Sequence, residues 1–130
     1  GLLPISQLAM NVMKDVTYHD YEGIALDADE KERLVGDLGK NNLMILRNHG
    51  TLTVGDHPFN CYLRMYLLER ACSIQTLAQG AGAELIEWDD AMQTRVFKQG
   101  EEGVTNELFL EIAWHALRGR VDRESPGYDA

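Results

Sequence analysis

The sharpest contrast in the hydrophobic pattern lies at residues 43–55, LMILRNHGTLTVG. Leu43, Met44, Ile45 and Leu46 form an unbroken apolar run, which at this length suits a strand covered on both faces. Arg47, Asn48, His49 and Gly50 interrupt it, and Thr51 to Val54 resume with the two-residue alternation of a half-buried strand. The pattern predicts strand, polar turn, strand. His49 falls where the core strand ends, between Asn48, which tolerates unusual backbone angles, and Gly50, which has no side chain to block access.

Upstream, residues 1–5 read as a short apolar strand, and Ser6 as the N-cap of a helix reaching Met13 with Leu8, Ala9 and Val12 buried. Residues 16–23, VTYHDYEG, are rich in β-branched and aromatic types. They predict a strand that turns His19 and Tyr21 to one face and Tyr18, Asp20 and Glu22 to the other. Asp29 with Glu32 makes a capping-box pattern for a helix that buries Leu34, Val35 and Leu38 and stops at Gly39. The loop 40–42 then leads into the central run, an α/β arrangement.

Downstream, Asp56 is a natural N-cap and Pro58 falls in the first turn of a helix running to about Gln79. Phe59, Tyr62, Leu63, Tyr66, Leu67, Ile74 and Leu77 form one broad apolar face, and Cys61, Met65, Leu68 and Cys72 a second stripe nearly opposite. A helix apolar on two sides either lies centrally in the domain or turns its second stripe to another subunit, and in a chain this short the subunit contact is the expectation. Arg70 lies within the broad face and Glu69 beside it, so both are expected to be paired. A further helix is expected from Glu84 to Gln99, with Leu85, Trp88, Met92, Val96 and Phe97 inward and Gly100 as its stop. Asn106 is expected to cap a last helix bearing Phe109, Ile112, Ala113, Ala116 and Leu117, terminated by Gly119. His115 reads as packing beside that face. The tail 121–130, polar with a Pro-Gly turn, is expected to be mobile or to dock on a partner.

With 130 residues, 45% of them hydrophobic, there is enough for one sizeable core. The formal charge is −9, from 21 acidic against 12 basic residues, with no basic cluster longer than a pair. Nucleic acid and anionic membrane surfaces are therefore poor partners. No apolar run approaches the roughly 18 residues of a spanning helix, and no secretion signal is recognisable, so a cytoplasmic location is the expectation. The chain opens on Gly1 in mid-pattern and reads as part of something longer. Cys61 and Cys72 fall in one predicted helix about 16 Å apart, too far to bond to each other. They read as small buried hydrophobes in a reducing compartment.

His49 has two readings. It is either a turn histidine whose ring is satisfied by backbone groups or a metal ligand, and a catalytic zinc site needs at least three protein ligands, of which the local sequence supplies one. His19 and Asp20 are adjacent and diverge in a strand. The cluster could serve as a metal or acid–base site, but that divergence favours aromatic packing with a solvated acidic edge, its functional role, if it has one, being substrate contact. There is no Gly-rich phosphate loop, no Gly-x-Ser-x-Gly elbow, no cysteine pair at zinc-finger spacing and no internal repeat.

The stretches GLLPISQ, YHDYEGIAL, ERLVGDLG, LMILRNHGTLTVG and MYLLERACSIQ, with the closing LRGRVDRESPGY, resemble the C-terminal portion of the class II aldolase/adducin family. The resemblance covers most of residues 1–130 and is most specific around RNHG. It implies an α/β fold, a three-layer α/β/α domain around a mostly antiparallel sheet with its N-terminal part missing, and a homo-oligomer, usually a tetramer, with active sites at subunit boundaries. His49 is similar to the third zinc ligand of the sugar-phosphate aldolases and epimerases, where two others come from an earlier His-x-His. There the ion polarises substrate oxygens and stabilises an enediolate.

No His-x-His occurs in the chain, and the family's acidic residue and phosphate loops would also lie upstream of Gly1. Zinc is thus expected only in the complete protein. The family's catalytic tyrosine or aspartate is not matched, Tyr128 in the tail being a weak candidate. Two functions follow from the resemblance. One is a zinc-dependent lyase or epimerase acting on a small hydroxy-carbonyl, sugar-like substrate. The other is a non-catalytic self-association module like the adducin head, and the YHDYEG and ERAC segments look closer to that branch. A half-sheet with open edges also predicts self-association.

Overall fold

A computed structural model describes residues 1–24, 29–82, 84–104 and 107–128, without the side chains at 103, 104, 107 and 109. The first helix, α1 (Gln7–Val12), begins as expected at Ser6, whose Oγ accepts from the Ala9 N–H at 3.1 Å. A 3-10 turn, Met13–Asp15, leads into β1 (Val16–His19). Strand β1 is shorter than the pattern suggested. It stops at His19 because its partner β2 (Leu43–Leu46) stops at Leu46, directly opposite.

Between them runs α2 (Glu30–Leu38), closed by Gly39 at φ 57°. The capping box at its start is not formed. Asp29 is itself helical at φ −72° and its side chain makes no cap hydrogen bond. Nor is the expected buried side complete: Leu34 and Leu38 are half-buried, but Val35 is exposed and Glu30 buried.

Strand β2 pairs parallel with β1 and antiparallel with β3 (Gly50–Thr53), giving the order β1-β2-β3. Among the described residues the sheet holds one parallel and one antiparallel pairing. Leu43 and Ile45, with Val16, turn to a core made with Ala9, Val12, Leu68 and Ala71 of α1 and the long helix α3 (Pro58–Gly80). Met44, fully buried, and His19 lie on the opposite face by alternation. Helix α2 covers that side along β1. The layers are α1 and α3, then the sheet, then α2.

Helix α3 turns its narrower stripe inward. Leu68 and Ala71 are buried and Cys61, Met65 and Cys72 half-buried, whereas Tyr62, Tyr66 and Leu77 of the broad face are exposed. The subunit-facing expectation for the second stripe is thus reversed: the sheet itself covers it. Arg70 and Glu69 are both exposed. Glu69 accepts from Thr51 Oγ1 at 2.7 Å, while Arg70, being in solvent, needs no partner. The N-cap is His57, whose Nδ1 accepts from the Phe59 N–H at 3.1 Å, with Pro58 in the first turn. Asp56 instead accepts from the Asn60 side chain at 2.9 Å.

Residues 84–89 are irregular rather than helical, and Trp88 is half-exposed, its N–H bonded to Pro4 O. Helix α4 (Asp90–Val104) starts late because Asp89 caps it, Oδ1 accepting from the Met92 N–H at 2.8 Å. It also passes through Gly100. A Cβ there would lie 3.0 Å from Asn11 Oδ1, so this glycine serves the close approach of α4 to α1 and not a helix stop. Helix α5 (Glu107–Glu124) likewise runs past Gly119 and takes in the start of the tail, whose turn comes at Gly127, φ 87°. It meets the body of the domain through Trp114, whose ring stands edge-on to His57 and Phe59. His115 is exposed rather than packed. The Asn106 cap and the Phe109 side chain lie outside the described residues.

Candidate functional site

The chemistry-bearing side chains gather at one end of the sheet, where β1 and β2 finish at His19 and Leu46. Carboxyl ends of parallel strands commonly present ligand sites, because the loops leaving them carry unpaired polar groups. The turn after β2 is tight. His49 N–H donates to Leu46 O at 3.1 Å, and Asn48 sits at φ 56°, a left-handed conformation open to Asn but strained for most residues. His49 is exposed at its tip, and its ring has no hydrogen bond among the described residues. The backbone-satisfied reading of this histidine is therefore not what is found.

Arg47 anchors the other side of the turn. Its N–H donates to His19 O at 2.9 Å, its Nε lies 2.8 Å from Asp20 Oδ1, and its guanidinium sits 5.3 Å from the centre of the Tyr18 ring. Asp20 is almost fully exposed and diverges from His19, as expected for strand neighbours. An open hollow of about 240 Å³ adjoins this end on the α3 side, walled by Leu2, Tyr18, Ile45, Arg47, Cys72 and Gln75.

On the α2 side the arrangement is one the sequence did not suggest. His19 is buried, with Nδ1 2.7 Å from Asp37 Oδ2 and Nε2 3.7 Å and 3.9 Å from carboxylate oxygens of Glu30 and Glu22. Arg33 grips Glu22 through Nε and Nη2. That hydrogen bond is the main reason the Glu22 carboxyl is held below its ordinary range, against a smaller opposing desolvation. Asp37 and Glu30 are eighteen and eleven residues from His19, so only the α2 crossover brings them there. As the side chains stand, no three His, Cys, Asp or Glu among the described residues converge closely enough to hold a metal ion. Tyr128 lies half-exposed in the terminal turn.

A profile of the Class II Aldolase and Adducin N-terminal domain matches residues 1–76. The chain belongs to the class II aldolase/adducin family. A Caulobacter vibrioides protein whose name assigns it provisionally to aldolase class 2 is 45% identical over 129 residues, covering 98% of this chain and 49% of that one. Mouse alpha-adducin is 44% identical over 87 residues, covering 65% of this chain and 12% of its own. The crystal structure of an aldolase II superfamily protein from Pseudomonas syringae superimposes with a TM-score of 0.88 at 41% identity, over 100% of this chain and 52% of that one. An L-fuculose 1-phosphate aldolase from Glaciozyma antarctica, 24% identical with a TM-score of 0.68 over 92% of this chain and 46% of its own, shares the fold. The chain spans about half the length of the bacterial relatives it matches. Among the described residues, no helix is long and apolar enough to cross a membrane.

Proposed function

We propose that the chain is the C-terminal portion of a class II aldolase-type domain from a cytoplasmic, zinc-dependent aldehyde-lyase or epimerase acting on a small hydroxy-carbonyl compound, with His49 as one metal ligand. The observation that carries this reading is the exposed imidazole of His49, without a hydrogen bond among the described residues, on a left-handed turn at a strand end in a chain of this family. One imidazole does not complete a zinc site, so the remaining ligands come from outside residues 1–130. Bound zinc would act as a Lewis acid toward substrate oxygens. This chain's part is to present His49 and to keep its turn fixed, through Arg47 against Asp20 and Tyr18.

The test is an assay of the natural full-length protein for aldol cleavage and epimerisation across phosphorylated and free hydroxy-carbonyl sugars. Activity should be lost to a chelator, return with zinc and be abolished by His49→Ala without unfolding. The adducin relatives and the exposed Tyr62–Tyr66 stack on α3, ring centroids 6.4 Å apart, favour a second reading, a self-association module. Inactivity on every substrate, together with a stable oligomer by light scattering, would select that reading instead.

A further inference from the structure

We propose that His19, Glu22 and Glu30 form a binding site for a divalent transition-metal cation of the zinc and manganese class, separate from His49. His19 is 3% exposed, and its Nε2 is buried with no hydrogen-bond partner. Two carboxylate oxygens flank that nitrogen, Glu30 Oε1 at 3.7 Å and Glu22 Oε1 at 3.9 Å. On the other side of the ring, Nδ1 lies 2.7 Å from Asp37 Oδ2. Asp37 stands on Nδ1 where an outer-shell carboxylate stands for a metal-bound histidine, positioned to hold the proton on Nδ1 when a cation occupies Nε2.

In the neutral ring with its proton on Nδ1 the groups around the gap are all acceptors, and a metal ion there replaces the proton that Nε2 would otherwise carry. Arg33 offsets the charge of Glu22. Glu30 is 8% exposed, and its ion-pair contact among the described residues is His19. A buried carboxylate facing a lone pair is unfavourable, and a cation between them relieves both. One imidazole and two carboxylates suit zinc or manganese, whereas calcium and magnesium prefer oxygen alone.

The present spacing is that of an open site. Tetrahedral zinc leaves its donors about 3.4 Å apart, so loading must draw both carboxylates toward Nε2 and toward each other, the three groups not converging on one point as they stand. Glu22 has room to do so, its side chain being 31% exposed. Its exposed side leaves a coordination position for water. The bound ion would tie the end of β1 to α2.

The proposal is tested by calorimetric titration of Zn²⁺ into the full chain, with bound zinc counted by elemental analysis and folding followed by circular dichroism. One zinc per chain is expected for wild type and for His49→Ala. Glu30→Gln and His19→Gln should weaken binding at least about tenfold, the loss expected even of an outer-shell partner. If His19→Gln does not fold, the near-isosteric Glu30→Gln and Glu22→Gln decide. Absence of uptake, unchanged binding in Glu30→Gln, or loss in His49→Ala alone would each overturn it.

Discussion

Asp15 holds Asn42 with both carboxylate oxygens: Oδ1 accepts from the Asn42 backbone N–H at 2.9 Å and Oδ2 from its Nδ2 at 3.0 Å. Asp15 is the last residue before β1 and Asn42 the last before β2, so this pair sets where the two parallel strands begin and places Val16 opposite Leu43. Asp15→Ala leaves a partly buried backbone N–H and a side-chain amide without acceptors, which costs about 1–3 kcal/mol. The melting temperature should fall by roughly 3–15 °C, and less for Asp15→Asn, which keeps one acceptor. Thermal unfolding followed by circular dichroism checks this, and an unchanged Asp15→Ala midpoint would remove the pair from any role in stability.

Helix α3 supplies an internal control on which of its faces carries the fold. Leu68 is fully buried against α1 and the sheet, whereas Leu77 is 75% exposed on the opposite side. Leu68→Ala should cost about 2–5 kcal/mol through lost burial and the cavity left behind. Leu77→Ala should stay within about 0.5 kcal/mol. Denaturant titration of both variants, with m-values compared, distinguishes them. Equal losses would mean that the outward stripe is covered in solution, as the self-association reading requires.

The legible parts of the fold were those decided locally. The run Leu43–Leu46 is strongly apolar, Ser6 is a good cap and Gly39 can take the left-handed turn, so the central strand, α1 and the end of α2 follow from the residues themselves. For helix α3 the pattern predicts the right span but not the inward stripe, since Leu68 and Ala71 of the narrow stripe are buried together with Phe59 of the broad one. Both of its stripes are apolar, and the choice between them depends on which one meets Ala9, Val12 and Leu43. Gly100 and Gly119 predict helix ends by local propensity, although the space at Gly100 is set by Asn11 on another helix. Within the site, the exposed His49 turn was visible in its Asn-His-Gly spelling. The His19 cluster was not, because Glu30 and Asp37 reach it only through the crossover from β1.

Cys72 should be a slow thiol. Burial pushes its pKa up from the ordinary 9.0, and the Glu69 carboxylate adds to the rise. The thiolate is the nucleophile, so iodoacetamide at pH 8 should label Cys72 more slowly than a free small thiol. Glu69→Gln should speed labelling modestly, since it removes only the lesser cause. Peptide mass spectrometry over a time course measures both, and labelling at the free-thiol rate would contradict the burial.

Asp56 should respond to pH with a definite sign. Its pKa is lowered from the ordinary 3.8, first by the hydrogen bond from Asn60 and then by its own backbone N–H. A carboxyl depressed in the folded state stabilises fully above the unfolded value and loses that contribution as pH falls through the folded one. The loss therefore belongs below pH 3.8, and stability near neutrality should not feel it. Asn60→Ala should move the Asp56 titration back up toward 3.8, read by carboxyl carbon NMR. A midpoint unmoved by Asn60→Ala would assign the depression to the backbone instead.

The His49 turn separates presentation of the imidazole from stability. His49 is exposed and its ring makes no hydrogen bond among the described residues, so His49→Ala should leave the melting temperature unchanged. Asn48 is different because φ 56° is a left-handed conformation. Asn48→Gly keeps that conformation accessible and should be tolerated. Asn48→Val places a β-branched side chain where it clashes with the following carbonyl, at roughly 1–2 kcal/mol. The turn must then either carry that strain or re-form with His49 displaced from the strand end. Thermal melting together with the His49 ring shifts in two-dimensional NMR reads both consequences. A wild-type melting temperature and unmoved His49 resonances in Asn48→Val would show that the turn does not depend on its left-handed residue.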